Sequence, residues 1–199
     1  MSKGEVTRAR ILDQALMLAS RHGLDGLSLG MLSESLELSK SGLYAHFRSK
    51  EALVIAVLQH TRARYIEHMK PYVTGRAKGL DELRGHLAAW LDWIALPSLP
   101  AGCPILGASF EVEDLDGPTR DFVIDLTRAS RERLATLLRN TIATGELRAD
   151  TPVEQLLFEI RGIALSFHLE CRLIKEKDAR ARADRALDDL LARYASGPG

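Results

Sequence analysis

Apolar residues recur at helical spacing along nearly the whole 199-residue chain, whereas alternating strand patterns and hairpin signals are missing from the sequence. This periodicity predicts an all-α fold, which helix-starting and helix-ending residues divide into about nine helices. The predicted helices cover residues 6–22, 28–36, 39–46, 49–72, 79–96, 104–112, 118–144, 152–174 and 178–195. With 46% hydrophobic and 27% charged residues, the chain has an ordinary globular composition, sufficient for one large core or two modest ones.

Charge is unevenly distributed along the chain although its net value is zero. Seven basic and five acidic side chains give residues 1–50 a net charge of +2, whereas one basic and six acidic side chains give residues 104–127 a net charge of −5. A polyanionic partner must therefore bind a local patch. The acidic run Glu111, Glu113, Asp114 and Asp116 precedes a predicted helix N-terminus, where negative charge is favourable. We interpret this run locally rather than as a site for a cationic effector.

Several classes of protein are disfavoured by residue types and spacing. The two cysteines, Cys103 and Cys171, are too widely separated to suggest a disulfide framework or a thiolate metal site. The six histidines form no HExxH pair, and neither a calcium loop nor a glycine-rich phosphate loop is present in the sequence. A signal peptide pattern and a membrane-length apolar run are also missing. We therefore expect a cytoplasmic protein that is not an enzyme and uses no metal or cofactor.

Two short predicted helices, 28–36 and 39–46, are separated only by Glu37 and Leu38. This length and spacing are typical of a helix-turn-helix. The second helix begins with the small residues Ser39, Ser41 and Gly42, which let a helix N-terminus come close to a neighbouring molecule. Because free N–H groups and the helix dipole at that end favour phosphate, the pattern predicts insertion of this helix into the DNA major groove.

Larger polar side chains surround this helix start. Lys40 is placed to reach a guanine edge or a phosphate, Tyr44, His46 and Lys50 to donate to phosphates, and Ser28 to donate to the neighbouring backbone. Each residue taken alone is better explained by helix capping or packing. Their combination favours DNA binding.

The segments RARILDQALMLASRHGLDGLSL, LSESL and SKSGLYAHFRSKEAL resemble the TetR family of one-component transcriptional regulators over residues 6–58. The family typically shows Ser-Lys-x-x-Leu-Tyr-x-His-Phe followed by Lys-Glu-x-Leu. The resemblance implies DNA contacts from Ser28, Ser39, Lys40, Ser41, Gly42, Tyr44, His46 and Lys50, with Leu43 and Phe47 in the core. The chain departs from many members in the turn, where Leu36-Glu37-Leu38 replaces Ala-Gly-Val. A positive φ at Glu37 would cost on the order of 1 kcal/mol more than at glycine.

The resemblance also implies an architecture and a function for the whole chain. Residues 1–48 would form a three-helix bundle containing the helix-turn-helix, and residues 49–199 a helical ligand-binding and dimerisation domain. Because so small a bundle is marginal alone, we expect the fourth helix to brace it through Leu53, Val57 and Leu58. The implied function is that of a homodimeric repressor, released from a palindromic double-stranded DNA operator by a small-molecule effector.

The helix predicted at 152–174 supports dimerisation because it is apolar on two opposite faces, with polar seams between them. One face can cover the core of its own chain, and the other can meet a second copy. Gly162 would allow the two backbones to approach closely, and the final helix would complete the interface. The predicted interface residues are Phe158, Gly162, Leu165, Leu169, Leu173, Leu187 and Leu191.

The effector site is predicted from aromatic residues in helices that could enclose a cavity. Its candidate residues are Trp90, Trp93, Cys103, Phe110, Phe122 and Phe167. Each aromatic residue alone is as well explained by the core. Two alternatives remain open, namely a redox-responsive regulator acting through Cys103, and a helical ligand carrier or enzyme that uses the tryptophan-containing cavity.

Overall fold

The computed structural model describes residues 3–197, apart from the side chains of Lys3, Lys40 and Tyr44. Within that range the regular structure comprises nine α-helices, one π-helical segment (Leu169–Ile174) and an isolated bridge between Leu147 and Ala195. The helices are α1 (Lys3–Gly26), α2 (Leu29–Leu36), α3 (Lys40–His46), α4 (Lys50–Val73), α5 (Leu80–Ala95), α6 (Pro104–Glu111), α7 (Pro118–Ala143), α8 (Val153–His168) and α9 (Ala179–Ala192). The predicted all-α fold is confirmed.

Most predicted helix ends lie within two residues of the observed ends, but α1, α8 and α9 depart from the prediction, and α9 ends at Ala192, three residues early. The sequence predicts that the first helix ends at residue 22, but α1 resumes after Gly23, whose φ is 74°, and ends at Gly26. α8 was expected to continue to residue 174, but it gives way after His168 to the π-helical segment, which Lys175 ends with a φ of 64°. Apolar periodicity does not distinguish an α-helix from a single π-helical turn appended to it.

The chain forms two compact units. Unit 1 comprises the residues up to Glu67 together with Leu96–Leu126, and unit 2 comprises His68–Ala95 together with the residues from Thr127 onward. α6 and the first part of α7 thus belong to the same unit as the predicted helix-turn-helix. The predicted functional division after residue 48 stays a prediction.

The core of unit 1 is built from helices that are far apart in sequence. α1 contributes Ile11 and Ala15, and the two helix-turn-helix segments contribute Leu32, Leu43 and Phe47, all of which are buried. As expected, α4 braces this cluster. Its buried residues in the cluster are Leu53, Val54, Ala56, Val57 and Leu58. α6 and α7 close the same core with Ala108, Val112, Val123 and Leu126.

The core of unit 2 is a separate cluster of α5, α7, α8 and α9. Its central residues include Leu87, Leu138, Ile160 and Leu190. His86 on α5 is also buried, and burial, helped by the nearby Arg133 charge, lowers its pKa to about 4. His86 is therefore neutral at pH 7. No helix within residues 3–197 has the length and apolar character needed to cross a membrane.

Candidate DNA-binding interface

The N-terminus of α2 is closed by Ser28. The exposed Ser28 Oγ accepts a hydrogen bond of 3.1 Å from the Met31 N–H, which is the usual role of serine at this position. The bond uses one oxygen lone pair and leaves the hydroxyl proton free to be donated elsewhere. Ser28 is therefore both a helix cap and an exposed potential donor.

The turn between α2 and α3 is wound through a left-handed residue. Glu37 has φ 54° and ψ 35°, which is the costly conformation anticipated for this position. The Glu37 N–H donates to Glu34 O at 3.3 Å and the Leu38 N–H to Ser33 O at 3.0 Å. These two bonds form a Schellman motif, which ends α2 and redirects the chain within two residues. The Glu37 side chain is exposed, so its negative charge stays in solvent.

The N-terminus of α3 is exposed and is lined by small residues. Ser39 Oγ accepts a bond of 3.1 Å from the Gly42 N–H and lies 3.1 Å from Ser41 Oγ. A Cβ on Gly42 would lie 3.2 Å from Ser39 Oγ, so glycine leaves room for the cap. Ser39 and Ser41 are both exposed. These two hydroxyls and the free backbone amides of the first turn can face a phosphate.

The remaining predicted contact residues differ in how the structure places them. Lys50 is exposed at the start of α4, and its Nζ donates to Asp25 O at 3.0 Å. His46 is half-buried in the last turn of α3, with its ring 6.4 Å from that of Phe47. Lys40 and Tyr44 lie on α3, but their side chains are outside the described part of the structure. Within the described set, Ser28, Ser39, Ser41, Gly42, His46 and Lys50 all belong to unit 1.

Glu111 has a role near this site that local sequence reasoning missed. Its Oε2 accepts hydrogen bonds from the N–H groups of Leu24 (2.8 Å) and Asp25 (3.1 Å), which are 87 and 86 residues away in sequence. Glu111 is the last residue of α6, and its carboxylate therefore does not serve the following helix as the sequence suggested. The only local signal was a glycine, Gly23, at the point of contact.

The predicted effector residues are divided equally between the two units. In unit 2, Phe167 is buried in the core, Trp90 packs against that core, and Trp93 is buried. In unit 1, Phe122 packs against the core, Cys103 is half-buried at the N-cap of α6, and Phe110 is 56% exposed. Their joint role in one pocket stays a prediction.

Five of the predicted interface residues form an exposed line along α8 and the π-helical segment that follows it. We call this line the α8 stripe (Phe158, Gly162, Leu165, Leu169 and Leu173). Its apolar side chains are exposed by 38% to 76%, and Ile174 adjoins it at 61%. Leu187 and Leu191 of α9 depart from the prediction, because they are 7% and 3% exposed in the core of their own unit. Sequence periodicity identified the apolar face of α9 but not the neighbour that covers it.

Comparison with known proteins agrees with this geometry. Residues 11–57 match the model of the bacterial regulatory proteins of the tetR family, and residues 79–187 match that of the tetracyclin repressor-like C-terminal domain. The HTH-type transcriptional repressor NemR of Escherichia coli K12 is 27% identical over 135 residues, which cover 67% of this chain and 68% of NemR.

Solved structures extend the similarity to almost the full chain. A TetR transcriptional regulator from Chloroflexus aurantiacus J-10-FL is 27% identical, with 96% of each chain covered and a TM-score of 0.84. The reduced form of E. coli NemR, at 22% identity, shares the fold with a TM-score of 0.78, covering 98% of this chain and 99% of that one. The second family model alone spans more than half of the chain. The chain therefore belongs to the TetR family of transcriptional regulators.

Proposed function

We propose that this protein is a homodimeric repressor that binds a palindromic DNA operator through α3 and is released by a small-molecule effector. The observation that carries the proposal is the exposed start of α3, where Ser39, Ser41 and Gly42 keep bulky groups away from the helix amides. Lys50 adds a positive charge at the surface of the same unit. Because the net charge of the chain is zero, affinity for DNA must come from this local arrangement.

The α8 stripe supports the homodimer. Phe158 and Leu173 are equally distant in sequence from the point between Leu165 and Ser166, and so are Gly162 and Leu169. An antiparallel pairing of this face with a second copy would therefore be self-complementary at these four positions, as a two-fold interface requires. In that pairing Phe158 faces Leu173 of the partner subunit, and Gly162 leaves space for Leu169 of the partner subunit. Burying such large apolar side chains provides the association free energy. Leu187 and Leu191 then support α8 from within the core.

The interior of unit 2 supports a site for the effector. Trp93 and Phe167 are buried there, and the ring of His68 lies 5.4 Å from that of Trp93. His168 adjoins Phe167, and its Nδ1 is buried with no hydrogen-bond partner among the described residues. Burial, followed by the Arg172 charge, lowers the pKa of His168, so the ring is neutral at pH 7. An effector that combines an apolar body with one polar group able to pair with Nδ1 suits this environment.

The proposal is tested by selecting duplexes from a random-sequence DNA library with the wild-type protein. We expect enrichment of an inverted repeat whose half-sites lie about 10 bp apart or a multiple of that distance. Affinity for the selected duplex should fall steeply with salt, because phosphate contacts release counterions. A selection that enriches no sequence would refute DNA recognition. Small molecules that co-purify with the protein, identified by mass spectrometry, should then release the duplex.

A second candidate function is regulation by oxidation of Cys103. The observation that favours it is the position of this half-buried thiol at the N-cap of α6, where the helix end stabilises a thiolate. Burial, and then the proximity of Cys103, raise the pKa of the Tyr65 hydroxyl. Peroxide should then abolish binding to the selected duplex in the wild type and in Cys171→Ser but not in Cys103→Ser. Equal peroxide sensitivity of all three proteins would exclude this mechanism.

A further inference from the structure

The last turn of α1, which follows the interruption at Gly23, is hydrogen-bonded to Glu111 of α6. We call residues 23–28 the junction, since they run from the interruption of α1 to the cap of α2. Glu111 binds the junction by accepting hydrogen bonds from the Leu24 and Asp25 N–H groups at 2.8 and 3.1 Å. Lys50 also binds it, by donating to Asp25 O at 3.0 Å. A carboxylate and an ammonium therefore fix consecutive peptide groups of the same short segment.

Gly23 makes this contact possible. Its φ of 74° turns the chain so that the next two N–H groups point toward α6, and side chains rarely tolerate that conformation. A Cβ at this position would also lie 2.8 Å from Glu111 Oε1 and 3.1 Å from Glu111 Oε2. The glycine thus provides both the conformation and the space that the carboxylate needs.

A second contact prevents α6 from shifting along α1. The buried Ser20 Oγ donates to Gly102 O at 2.8 Å and accepts from the Ala101 N–H at 3.3 Å. These bonds hold the loop before α6, whereas Glu111 holds the end of α6. Because both ends of α6 are attached to α1, a movement of α6 would displace the junction and, with it, Ser28 at the start of α2.

We propose that Glu111 is a positioning residue for DNA binding. Its carboxylate sets the conformation of the junction, and so the placement of Ser28 and Lys50 relative to α3, without touching DNA. The proposal rests on the proposed function and deepens it, because it names one contact through which α6 controls the helix-turn-helix. The proposal also predicts that removing the Glu111 carboxylate weakens DNA binding. This is the opposite of the ordinary effect, because removing a negative charge from a DNA-binding unit strengthens binding to phosphates.

The test compares four variants with the wild type on the duplex selected from the random-sequence library and on an unrelated duplex. Glu111→Ala removes the acceptor, whereas Glu111→Gln removes the charge but keeps a side-chain oxygen at the same reach. Gly23→Ala blocks the contact by geometry while leaving the carboxylate in place. Glu113→Ala is the matched control, because this exposed acid nearby has the same charge and its carboxylate makes no hydrogen bond among the described residues.

We expect Glu111→Ala and Gly23→Ala to bind the selected duplex about tenfold more weakly, because the hydrogen bonds that the Leu24 and Asp25 N–H groups donate to residue 111 are lost in both variants. Glu111→Gln should recover most of the affinity, and Glu113→Ala should bind as tightly as the wild type or more tightly. Affinity for the unrelated duplex should not fall in any variant. Hydrogen exchange of the Leu24 and Asp25 amides, measured by NMR, should accelerate in Glu111→Ala but not in Glu111→Gln or Glu113→Ala.

Two outcomes separate this inference from the proposed function. If the wild type selects a duplex and Glu111→Ala binds it with unchanged affinity while remaining folded, Glu111 does not position the site and the inference is wrong. If the wild type selects no duplex, the proposed function itself fails. Equal losses in Glu111→Ala and Glu111→Gln would also overturn the inference, because charge rather than the accepted bonds would then control affinity.

Discussion

The start of α3 and the α8 stripe are both surfaces proposed to bind a macromolecule, yet they are constructed in opposite ways. At α3 the exposed groups are small and polar, and Ser39 already serves the protein itself by capping the Gly42 N–H. In the α8 stripe the exposed groups are large and apolar, and Phe158 and Leu173 are 76% and 75% exposed. When no partner is bound, water can hydrogen-bond to the polar groups at the start of α3, whereas it cannot compensate for the exposure of the apolar side chains of the α8 stripe.

This difference predicts which surface tolerates change. A substitution at a polar site that water can solvate removes only the net free energy of each lost contact, which is about 1 kcal/mol for an ordinary hydrogen bond. A charged substitution on an apolar interface removes part of the favourable free energy of association. It also adds the cost of removing the charge from water when the partner binds. Substitutions on α8 should therefore have larger effects than substitutions at α3.

The largest effect is expected for Leu169→Glu in the α8 stripe. In the antiparallel pairing each glutamate would be buried against Gly162 of the partner subunit, so the dimer dissociation constant should rise by at least about a hundredfold. Sedimentation velocity would measure the change. Leu115→Glu, which makes the same replacement at a 52% exposed leucine in unit 1, is the control and should leave the dimer intact. A Leu169→Glu protein that sediments as a dimer would show that another face carries the interface.

A smaller effect, confined to DNA binding, is expected for Lys50→Ala. Loss of one phosphate contact per subunit should weaken binding to the selected duplex about tenfold. It should also reduce the magnitude of the slope of log affinity against log salt concentration by about 2 per dimer. Fluorescence anisotropy at several salt concentrations would measure both quantities. Lys177→Ala, which removes an exposed lysine in unit 2, should change neither. An unchanged salt slope in Lys50→Ala would mean that Lys50 serves only as a support for Asp25 O.

The helices were predictable from sequence because their ends are determined locally. Ser28 and Ser39 accept bonds from residues three positions ahead, and Pro104 and Pro118 stand at the first positions of α6 and α7. The resumption of α1 after Gly23 was not predicted, because it depends on a carboxylate 87 residues away from Leu24.

Burial was predictable only where one face of a helix is apolar. Leu43 and Phe47 were expected in the core and are 0% and 2% exposed. On α8, periodicity correctly indicated two apolar faces, and the structure leaves one of them uncovered. On α9 it could not tell whether Leu187 and Leu191 face their own chain or another, since both arrangements require the same spacing. The structure covers them within unit 2.

Ser39 offers a way to separate stability from DNA binding at the polar surface. Ser39→Ala removes the acceptor for the Gly42 N–H and should lower the free energy of unfolding by about 1 kcal/mol. Ser39→Asp keeps a capping oxygen and should restore that stability. Its negative charge repels phosphate, however, and should weaken binding to the selected duplex. Urea unfolding and anisotropy would measure the two effects. If Ser39→Ala were as stable as the wild type, the cap would contribute nothing to the free energy of unfolding, and Ser39 would serve DNA binding alone.

The smallest effect is expected in the turn, for Glu37→Gly. Glycine removes the left-handed strain at φ 54° but gains freedom in the unfolded chain, so the net increase in the free energy of unfolding should be about 0.5 kcal/mol. Glu37→Gln is the matched control, because it removes the same exposed charge and keeps the strained backbone. If the two variants bound the selected duplex equally well but only Glu37→Gly unfolded at higher urea, charge and strain would be independent at this position. A Glu37→Gly protein less stable than the wild type would contradict the claim that the positive φ of Glu37 strains the backbone. The Schellman turn would then depend on the glutamate side chain.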